Sequence, residues 1–399
     1  MPDYPKPHIP VDPVLDADLF GGKGLPVSSV LDVAHVRHVT SGRMAIGLAL
    51  EQMDVRAGDQ VLMPAYHSRS MVEPVVAIGA EPVFFRVLAD GRVDLDDIAG
   101  KITGRSRVLV VVNYFGFPQD LAAIRAFCDD RGLLMLEDCA HAFFGESAGK
   151  PLGSHGDYAI ASSMKFFPVC DGGCLLSSRH PLNHVPLKSA GLRFELKMLV
   201  NAFEKAFAYG RLTLLSALLS LPIRLKNRVW KLFKAHRRSA SAPLAPRASE
   251  GAFGFEKAWL DKRCSLASRT ILRNVSISRL WTARRDNYLR LQAAFGALPG
   301  CRPFYAMLPE TVCPWVFPVV FDEPEAVFSR LKFAGVPIVR FGEFLWDGVD
   351  RTVCSISVDL SRRVLQFPCH QSLTTAELDW LIATARTTIL STTKTGAVA

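Results

Sequence analysis

Short β-rich apolar runs alternate with amphipathic stretches between Gly58 and Ser178, and this alternation constrains the fold more than any other feature. The run Val108–Val112 is apolar at every position, which is typical of a strand covered on both faces by helices. Strands that alternate with helices in this way lie mostly parallel in one sheet. The sequence therefore predicts an α/β domain with a mostly parallel central sheet, in which ligands bind beyond the carboxyl ends of the strands.

The pattern changes after an Ala-, Ser- and Pro-rich stretch that is typical of a linker. Trp259–Leu291 has helical periodicity, Val316–Phe321 has the composition of a strand, and Thr375–Ile389 is predicted to be a closing helix. We therefore predict a large α/β domain over residues 1–255 and a smaller C-terminal α+β domain over residues 256–399.

The net charge of +9 is concentrated in one segment. Residues 186–250 contain 13 Lys and Arg and 3 acidic residues, a net charge of +10, so the rest of the chain totals −1. A nucleic-acid-binding protein spreads its basic residues over a binding face, so this distribution argues against that class. The segment is interpreted as a basic amphipathic insert in the large domain.

The most basic part of this insert, Arg224–Arg238, interleaves cations with apolar residues at helical spacing and predicts a basic amphipathic helix. Three interpretations stay open. The apolar stripe could face the core with a solvated basic face behind it, residues 212–238 could contact an anionic membrane surface, or the helix could cover a phosphorylated substrate.

The first residues, Met1–Pro10, lack the charged start and apolar core of a secretory signal. The longest apolar stretches, Val108–Val112 and Leu212–Leu221, are shorter than the roughly 18 residues that a membrane span requires. Nine cysteines without CxxC spacing predict neither a disulfide framework nor a metal site. We expect reduced thiols and a cytoplasmic protein that is either free or peripheral to a membrane.

Two loops of the large domain have residues suited to a phosphorylated, planar ligand. Thr40–Arg43 precedes a helical run, and small residues at a helix start leave amide groups that can bind a phosphate. Tyr66 and His67 follow a predicted strand and carry rings that could stack on the ligand. A simple helix cap and a structural Tyr-His pair are the alternative interpretations.

Two further loops carry titratable residues. Glu137 and Asp138 end an apolar strand, where a carboxylate needs a partner such as a cationic ring nitrogen. Lys165 follows Ser162 and Ser163 among apolar neighbours, where desolvation lowers the pKa of an amine and favours its neutral form. A helix cap and a surface lysine are the structural alternatives. Together, the four loops contain the protein groups that a pyridoxal phosphate enzyme requires.

In these motifs the chain resembles the DegT/DnrJ/EryC1/StrS aminotransferases, the sugar aminotransferase branch of the fold-type I pyridoxal phosphate enzymes. The resemblance is clear from about residue 40 to residue 178 and weaker from 316 to 389. The motifs that carry it are Gly79–Phe84, Glu137–Ala142, Gly153–Asp157, and Lys165 followed by Gly172 and Gly173.

The resemblance implies a role for each residue around the cofactor ring. Lys165 would form the internal aldimine and move a proton between substrate and cofactor, and Asp138 would keep the pyridine nitrogen protonated. His141 would lie near the 3-hydroxyl group of the ring. Tyr66 or His67 would cover the ring face, and His67 is the favoured candidate of the two.

The resemblance also implies that the amides of Gly42 and Arg43 bind the phosphate and that Ser162 or Ser163 adds a hydroxyl group. The chain is about two residues shorter than the family pattern between Asp157 and Lys165, so the choice of serine stays open. Residues 186–250 do not resemble the corresponding family segment, which helps to shape the substrate site.

The activity implied by the resemblance is amino transfer from a donor such as glutamate to a keto group of a nucleotide-linked sugar or related cyclic polyol, in polysaccharide or secondary-metabolite biosynthesis. A homodimer is implied as well, because fold-type I sites lie between subunits. Two alternatives remain open: a pyridoxal phosphate-dependent lyase or dehydratase, and a non-catalytic membrane-peripheral protein that retains the fold.

Overall fold

The computed structural model describes residues 4–21, 26–218 and 254–396. The predicted basic helix, Arg224–Arg238, and the linker after it lie entirely outside these residues. Of the stretch for which membrane contact is predicted, 212–238, only 212–218 are described. Within the described ranges, no helix is long and apolar enough to cross a membrane.

The large sheet has seven strands in the order β1-β9-β8-β5-β4-β2-β3. Only β9 runs against its neighbours, and β8, β5, β4, β2 and β3 are parallel, so the predicted α/β fold with a mostly parallel sheet is confirmed. The strands are β1 His35–Val39, β2 Gln60–Pro64, β3 Glu81–Phe85, β4 Ser106–Val112, β5 Leu134–Cys139, β8 Tyr158–Ala161 and β9 Gly173–Ser177, and the short pair β6 Glu146–Ser147 and β7 Lys150–Pro151 lies apart from the sheet.

Helices cover both faces of this sheet and bury its central strands. Val108–Val112 in β4 is almost fully buried, as its uninterrupted apolar character predicts. The helix α4 begins after Asp120, whose carboxylate accepts the Ala123 amide, and ends at Gly132 in the left-handed conformation at φ 64°. The helices of this part are α1 Gly42–Gln52, α2 Arg69–Ala77, α3 Leu95–Lys101, α4 Leu121–Arg131 and α5 Leu192–Ala208.

The stretch predicted as one long helix over Trp259–Leu291 begins late and is interrupted, so that prediction is wrong at 260–265 and at 275–276. It forms α6 Leu266–Asn274 and α7 Ile277–Phe295 instead. Val275 has extended dihedral angles, and the amide of Ser276 donates to the carbonyl of Leu19. This contact with a segment distant in sequence replaces helical hydrogen bonds, which local periodicity does not reveal.

The C-terminal part contains a separate antiparallel sheet of four strands, in the order β10-β11-β13-β12, so the predicted small α+β unit is confirmed. Thr374 caps its last helix through a reciprocal pair of hydrogen bonds with Glu377. Residues 4–14 pack against this unit, and the boundary at residue 255 stays a prediction. The elements are β10 Cys301–Pro303, β11 Val316–Phe321, α8 Pro324–Phe333, β12 Val339–Arg340, α9 Arg351–Arg363, β13 Val364–Pro368 and α10 Thr375–Gly396.

Candidate active site

A cavity of about 530 Å³ lies at the carboxyl ends of the parallel strands, where open α/β sheets bind ligands. The large sheet, α1 and α5 form most of its wall, and the small C-terminal sheet closes one side. Six of the residues predicted from the sequence line it: Gly42, Arg43, Asp138, His141, Ser162 and Lys165. Tyr66, His67 and Ser163 are not among the lining residues.

The start of α1 forms one end of the cavity. Ser41 is the N-cap, and its hydroxyl accepts the Met44 amide at 3.4 Å. The backbone of Gly173 presses against this turn, because a Cβ added there would lie 2.4 Å from the Ser41 carbonyl carbon and 2.6 Å from the Gly42 nitrogen. Only glycine permits this approach, which fixes a helix N-terminus that can bind an anionic group.

The two serines of the loop after β8 differ in position. Ser162 lines the cavity close to α1, since a Cβ added to Gly42 would lie 3.7 Å from the Ser162 Cβ. The hydroxyl of Ser163 lies 4.0 Å from the Cys174 sulfur, and its amide donates to the carbonyl of Gly172. The geometry therefore favours Ser162 as the hydroxyl beside the helix start.

The two acids at the end of β5 point to opposite faces of the strand. Glu137 is fully buried and accepts hydrogen bonds from the amides of Gly153, at 2.8 Å, and His155, at 3.1 Å. It therefore anchors the loop at 153–155 rather than serving the cavity. Asp138 faces the cavity, and burial raises its pKa to about 6, although the Ala140 amide and the charge of Lys165 oppose that shift.

Lys165 lies in the same cavity, with its Nζ 4.3 Å from the centroid of the Trp315 ring. Burial lowers the pKa of this amine to about 8, and the charges of Asp138 and Asp12 offset part of the shift. An amine with this pKa is partly neutral near physiological pH, as nucleophilic and acid–base roles require. The predicted desolvated lysine is therefore present beside the strand-end carboxylate.

His141 is held between aromatic rings. Its ring stacks on Trp315 at 4.0 Å and meets the edge of Phe341 at 4.7 Å. Burial holds its pKa well below the usual range, so the imidazole is neutral. Its Nδ1 is buried and has no hydrogen-bond partner within the described part of the chain. Such an orphaned atom facing a cavity is the kind of group that a bound ligand satisfies.

Tyr66 and His67 lie outside the cavity, so their positions do not support the predicted role in covering a ligand ring. Tyr66 is buried between Tyr114 and Phe341. The Nδ1 of His67 is 3.0 Å from the carbonyl oxygen of Ala65. The Nε2 of His67 accepts the Trp346 amide at 2.9 Å.

The loop that carries both rings turns them into the core and presents Ser68 and Ser70 to the cavity instead. Both rings are fully buried, and burial lowers the pKa of His67 to about 4. The direction of a loop side chain depends on its tertiary neighbours, which explains this correction.

Sequence reasoning missed Arg284, which joins the two walls of the site. Its guanidinium is fully buried. On one side it donates to the carbonyls of Lys165 and Phe166, and on the other to the carbonyls of Pro314 and Trp315. Its Nε donates to the side chain of Gln371. A signal was available, because Arg284 occupies the apolar stripe of α7. The buried residues of that stripe are Leu280, Arg284, Tyr288, Leu291 and Phe295.

The geometry suits the cofactor that the family resemblance implies. A helix N-terminus and Ser162 can hold a phosphate, Asp138 can pair with a ring nitrogen, and the orphaned Nδ1 of His141 can bond a ring substituent. Across the described ranges, no cluster of His, Cys, Asp and Glu has the arrangement of a metal site.

Comparison with known proteins gives a family match over part of the chain. Residues 27–185 match the model of the DegT/DnrJ/EryC1/StrS aminotransferase family, so the predicted family resemblance is confirmed over this stretch. A GDP-perosamine synthase from Vibrio cholerae is 32% identical over 151 residues, covering 37% of this chain and 41% of that protein. An L-glutamine:2-deoxy-scyllo-inosose aminotransferase from Streptomyces kanamyceticus is 33% identical over 199 residues, covering 44% of this chain and 46% of that one.

The curated relatives are thus matched over less than half of their length. Solved structures extend the likeness in fold. A putative sugar aminotransferase, Spr1654 from Streptococcus pneumoniae in its PLP form, superposes with a TM-score of 0.64 at 17% identity, covering 92% of this chain and 99% of that one. The α/β fold predicted from the sequence is therefore shared with that structure over 92% of this chain.

Proposed function

We propose that this chain, whose residues 27–185 match the DegT/DnrJ/EryC1/StrS aminotransferase family, is a pyridoxal phosphate-dependent aminotransferase. It moves an amino group from an amino acid such as glutamate to a keto group of a nucleotide-linked sugar or related cyclic polyol. The observation that carries the proposal is one cavity in which buried Asp138 and Lys165 lie together with the N-terminus of α1.

Five residues would hold the cofactor. The amides of Gly42 and Arg43 and the hydroxyl of Ser162 would bind its phosphate, and the neutral imidazole of His141 would bond the oxygen on its ring. The carboxylate of Asp138 would pair with its ring nitrogen. Arg43 would contribute its backbone, because its guanidinium lies 3.1 Å from the carboxylate of buried Glu73.

When bound, pyridoxal phosphate supplies an electron sink for the negative charge that develops at the substrate carbon bearing nitrogen. Asp138 carries a negative charge above its pKa of about 6, and this charge stabilises a proton on the nitrogen it faces. Lys165 is the group in the cavity with an amine pKa of about 8, so its Nζ can take a proton from the substrate carbon and return it.

The names of the relatives support this choice of substrates. One relative is a synthase of a GDP-linked amino sugar, and another uses L-glutamine as donor and a deoxyinosose as acceptor. We propose that the product of this chain enters polysaccharide or secondary-metabolite biosynthesis. We assign the chain to these pathways on the same basis, with an amino acid as donor and a keto-sugar nucleotide or keto-polyol as acceptor.

The first half-reaction tests the proposal directly. Purified protein loaded with pyridoxal phosphate should absorb visible light, and glutamate or glutamine should bleach this band while an equal amount of 2-oxo acid forms. A panel of nucleotide-linked keto-sugars and keto-inositols should then restore the band. A protein that does not bind the cofactor contradicts the proposal. Bound cofactor that reacts with no donor, together with an eliminated product, favours the lyase alternative.

We also propose a homodimer in a reducing compartment such as the cytoplasm. All nine cysteines are free, and seven of them are buried, as expected where thiols stay reduced. The dimer is supported by the confirmed fold, whose members place their sites between subunits. Sedimentation equilibrium should give about twice the mass of one chain, and a monomer at micromolar concentration contradicts this part of the proposal.

We further propose that the enzyme contacts an anionic membrane surface through an apolar patch in the described part of the insert. An apolar groove of about 700 Å³ runs between α5 and α6, and few polar groups line it. Leu212 and Leu215 line this groove. Their sequence neighbours Leu214 and Leu218 are 84% and 77% exposed, and the cation-rich stretch begins six residues after Leu218, at Arg224. Exposed leucines next to basic residues are typical of interfacial segments.

Flotation with vesicles tests this contact. The wild-type protein should float with vesicles that contain phosphatidylserine and stay behind with neutral vesicles, and Leu214→Ser/Leu218→Ser should reduce flotation several-fold. The two positions are exposed, so folding and amino transfer should be unchanged. Loss of the dimer in this variant would instead identify the patch as a subunit contact, and unchanged flotation would also overturn the proposal.

A further inference from the structure

A second cavity, of about 640 Å³, adjoins the first cavity at Lys165. Asp138, His141 and the start of α1 line only the first cavity, which would hold the cofactor. Five residues line both cavities: Ser162, Met164, Lys165, Cys170 and Trp315. The second cavity therefore offers space beside Lys165 for a molecule other than the cofactor.

One face of helix α5 lines both cavities. Phe194 and Met198 contribute to the first cavity, and Asn201 and Lys205 contribute to the second. The spacings of three and four residues place these side chains on the same face of the helix. Because α5 belongs to the insert that does not resemble the corresponding family segment, its polar end is a feature of this chain.

The second cavity has a polar wall with charges of both signs. Its members are Asp12, Asn201, Glu204 and Lys205. The Nζ of Lys205 lies 3.1 Å from the carboxylate of Asp12, and the two side chains are 38% and 47% exposed. An ion pair this exposed contributes little to stability, so a ligand can replace either partner at small cost. Two carboxylates and one ammonium group give the polar wall a net charge of −1.

Cations near the polar wall already have acidic partners. Among the described residues that line the second cavity, the cations are Lys165 and Lys205, and Lys205 is paired. Arg211, just beyond the end of α5, pairs with Asp16 and Glu377. Phosphate groups are usually held by cations that are available to them. A diphosphate at the polar wall would therefore compete with carboxylates for its cations.

We propose that the polar wall binds the keto acceptor, and that this acceptor is a cyclic polyol with free hydroxyl or amino groups rather than a nucleotide-linked sugar. The inference rests on the proposed function, because it narrows the acceptor class of the same site. A hydroxyl group both donates and accepts hydrogen bonds, so neighbouring ring hydroxyls suit a wall of carboxylates, an amide and an ammonium group. The net negative charge attracts an amino group and repels a diphosphate.

The second half-reaction tests the acceptor class. After glutamate has bleached the protein loaded with pyridoxal phosphate, a keto-inositol should restore the visible band with a kcat/KM roughly tenfold or more above that of UDP- or dTDP-linked keto-sugars, a ratio that one hydrogen bond to a charged group can supply. The KM of the uncharged keto-inositol should barely change with ionic strength, because salt screens interactions between charges. A preference for nucleotide-linked keto-sugars overturns the inference.

A variant of the polar wall tests the assignment of the residues. Glu204→Gln keeps the shape of the side chain and removes its charge, so it should raise the KM of the keto-inositol roughly tenfold and reduce its advantage over nucleotide-linked sugars. Lys197→Gln is the matched control, because Lys197 is on the same helix and lines neither cavity. An unchanged preference in Glu204→Gln, or an equal change in Lys197→Gln, contradicts the assignment.

Binding without turnover gives an independent measurement. myo-Inositol has ring hydroxyls but no keto group, and it should raise the Tm of the loaded wild-type protein more than that of Glu204→Gln. UDP should raise the Tm of neither protein. Stabilisation by UDP and not by myo-inositol overturns the inference, and this result does not depend on catalysis.

The same measurements separate this inference from the proposed function. If no amino donor bleaches the loaded wild type but myo-inositol stabilises it more than Glu204→Gln, the polyol site stands and the aminotransferase proposal fails. If glutamate bleaches the band and only nucleotide-linked keto-sugars restore it, the proposed function stands and the polyol site fails.

Discussion

Lys165→Ala is expected to leave almost no amino transfer. We expect kcat to fall by roughly 10²- to 10⁴-fold, because a positioned acid–base group contributes about this much to the rate. The variant loses the amine that faces Asp138 in the cavity and therefore the group that moves the proton. Stopped-flow absorbance during the glutamate half-reaction measures the loss. The Tm should not fall, because the substitution removes a buried amine whose charge is costly to desolvate.

The reactivity of Lys165 should also depend on pH in a defined direction. Burial lowers its pKa to about 8, so the neutral amine accumulates as pH rises through 8 rather than through the usual range near 10.5. In the cofactor-free protein, the rate of capture of added pyridoxal phosphate should rise with pH and level off above about 8.

The Asp138→Asn variant provides the matched control for this pH profile. The charge of Asp138 raises the pKa of Lys165, so its removal should shift the profile to lower pH. A profile centred near pH 10, or one that Asp138→Asn leaves in place, contradicts the assignment of both residues to one site.

The second large effect is expected from Arg284→Met, which should destabilise the protein by about 3–5 kcal/mol. The guanidinium is the common donor for four backbone carbonyls and the Gln371 side chain, and each buried group left without its partner costs about 1–3 kcal/mol. The variant no longer bears the desolvation cost of the buried charge, which offsets part of that sum. Urea unfolding followed by tryptophan fluorescence measures the change. Arg284→Lys keeps a charge but loses the planar fork, so it should lie between the wild type and Arg284→Met.

Arg290→Met is the control on the same helix. Arg290 pairs with Asp379 at the surface and is 41% exposed, so its loss should cost no more than about 1 kcal/mol. Because Arg284 ties the backbone at Lys165 to that at Trp315, Arg284→Met should also weaken cofactor binding, whereas Arg290→Met should not. Equal stabilities of the two variants would contradict the structural role assigned to Arg284.

Particular residues show how far prediction from the sequence reaches. The apolar run of β5 predicts that Asp138 lies at the carboxyl end of a strand. The order of motifs along the chain predicts that Lys165 lies in the segment after β8. The parallel sheet then brings both to one edge by topology alone. By contrast, the break between helices α6 and α7 at 275–276 depends on the hydrogen bond from the amide of Ser276 to the carbonyl of Leu19. Nothing in the local sequence around either residue predicts that they meet.

The loop at 64–70 shows the same limit at the site itself. From the sequence, Tyr66 and His67 were the candidates to cover a ligand ring because of their chemistry. The structure turns both into the core, through contacts with Tyr114 and Trp346, and leaves serines at the cavity. Rings are attractive ligand partners but equally good core residues, and only the surrounding packing decides between the two.

The sequence by itself determined the order of the predicted strands between Gly58 and Ser178, the family resemblance over residues 27–185, and the residues that lie at strand ends, because these follow from local periodicity and short motifs. Only the tertiary structure decided which side chains face the cavity. It separated Asp138 from Glu137 and Ser162 from Ser163, and it brought Arg284 to the site from a distant part of the chain. The burial of these residues and their hydrogen-bond partners are properties of the assembled fold, since desolvation and hydrogen bonding depend on neighbours that are remote in sequence.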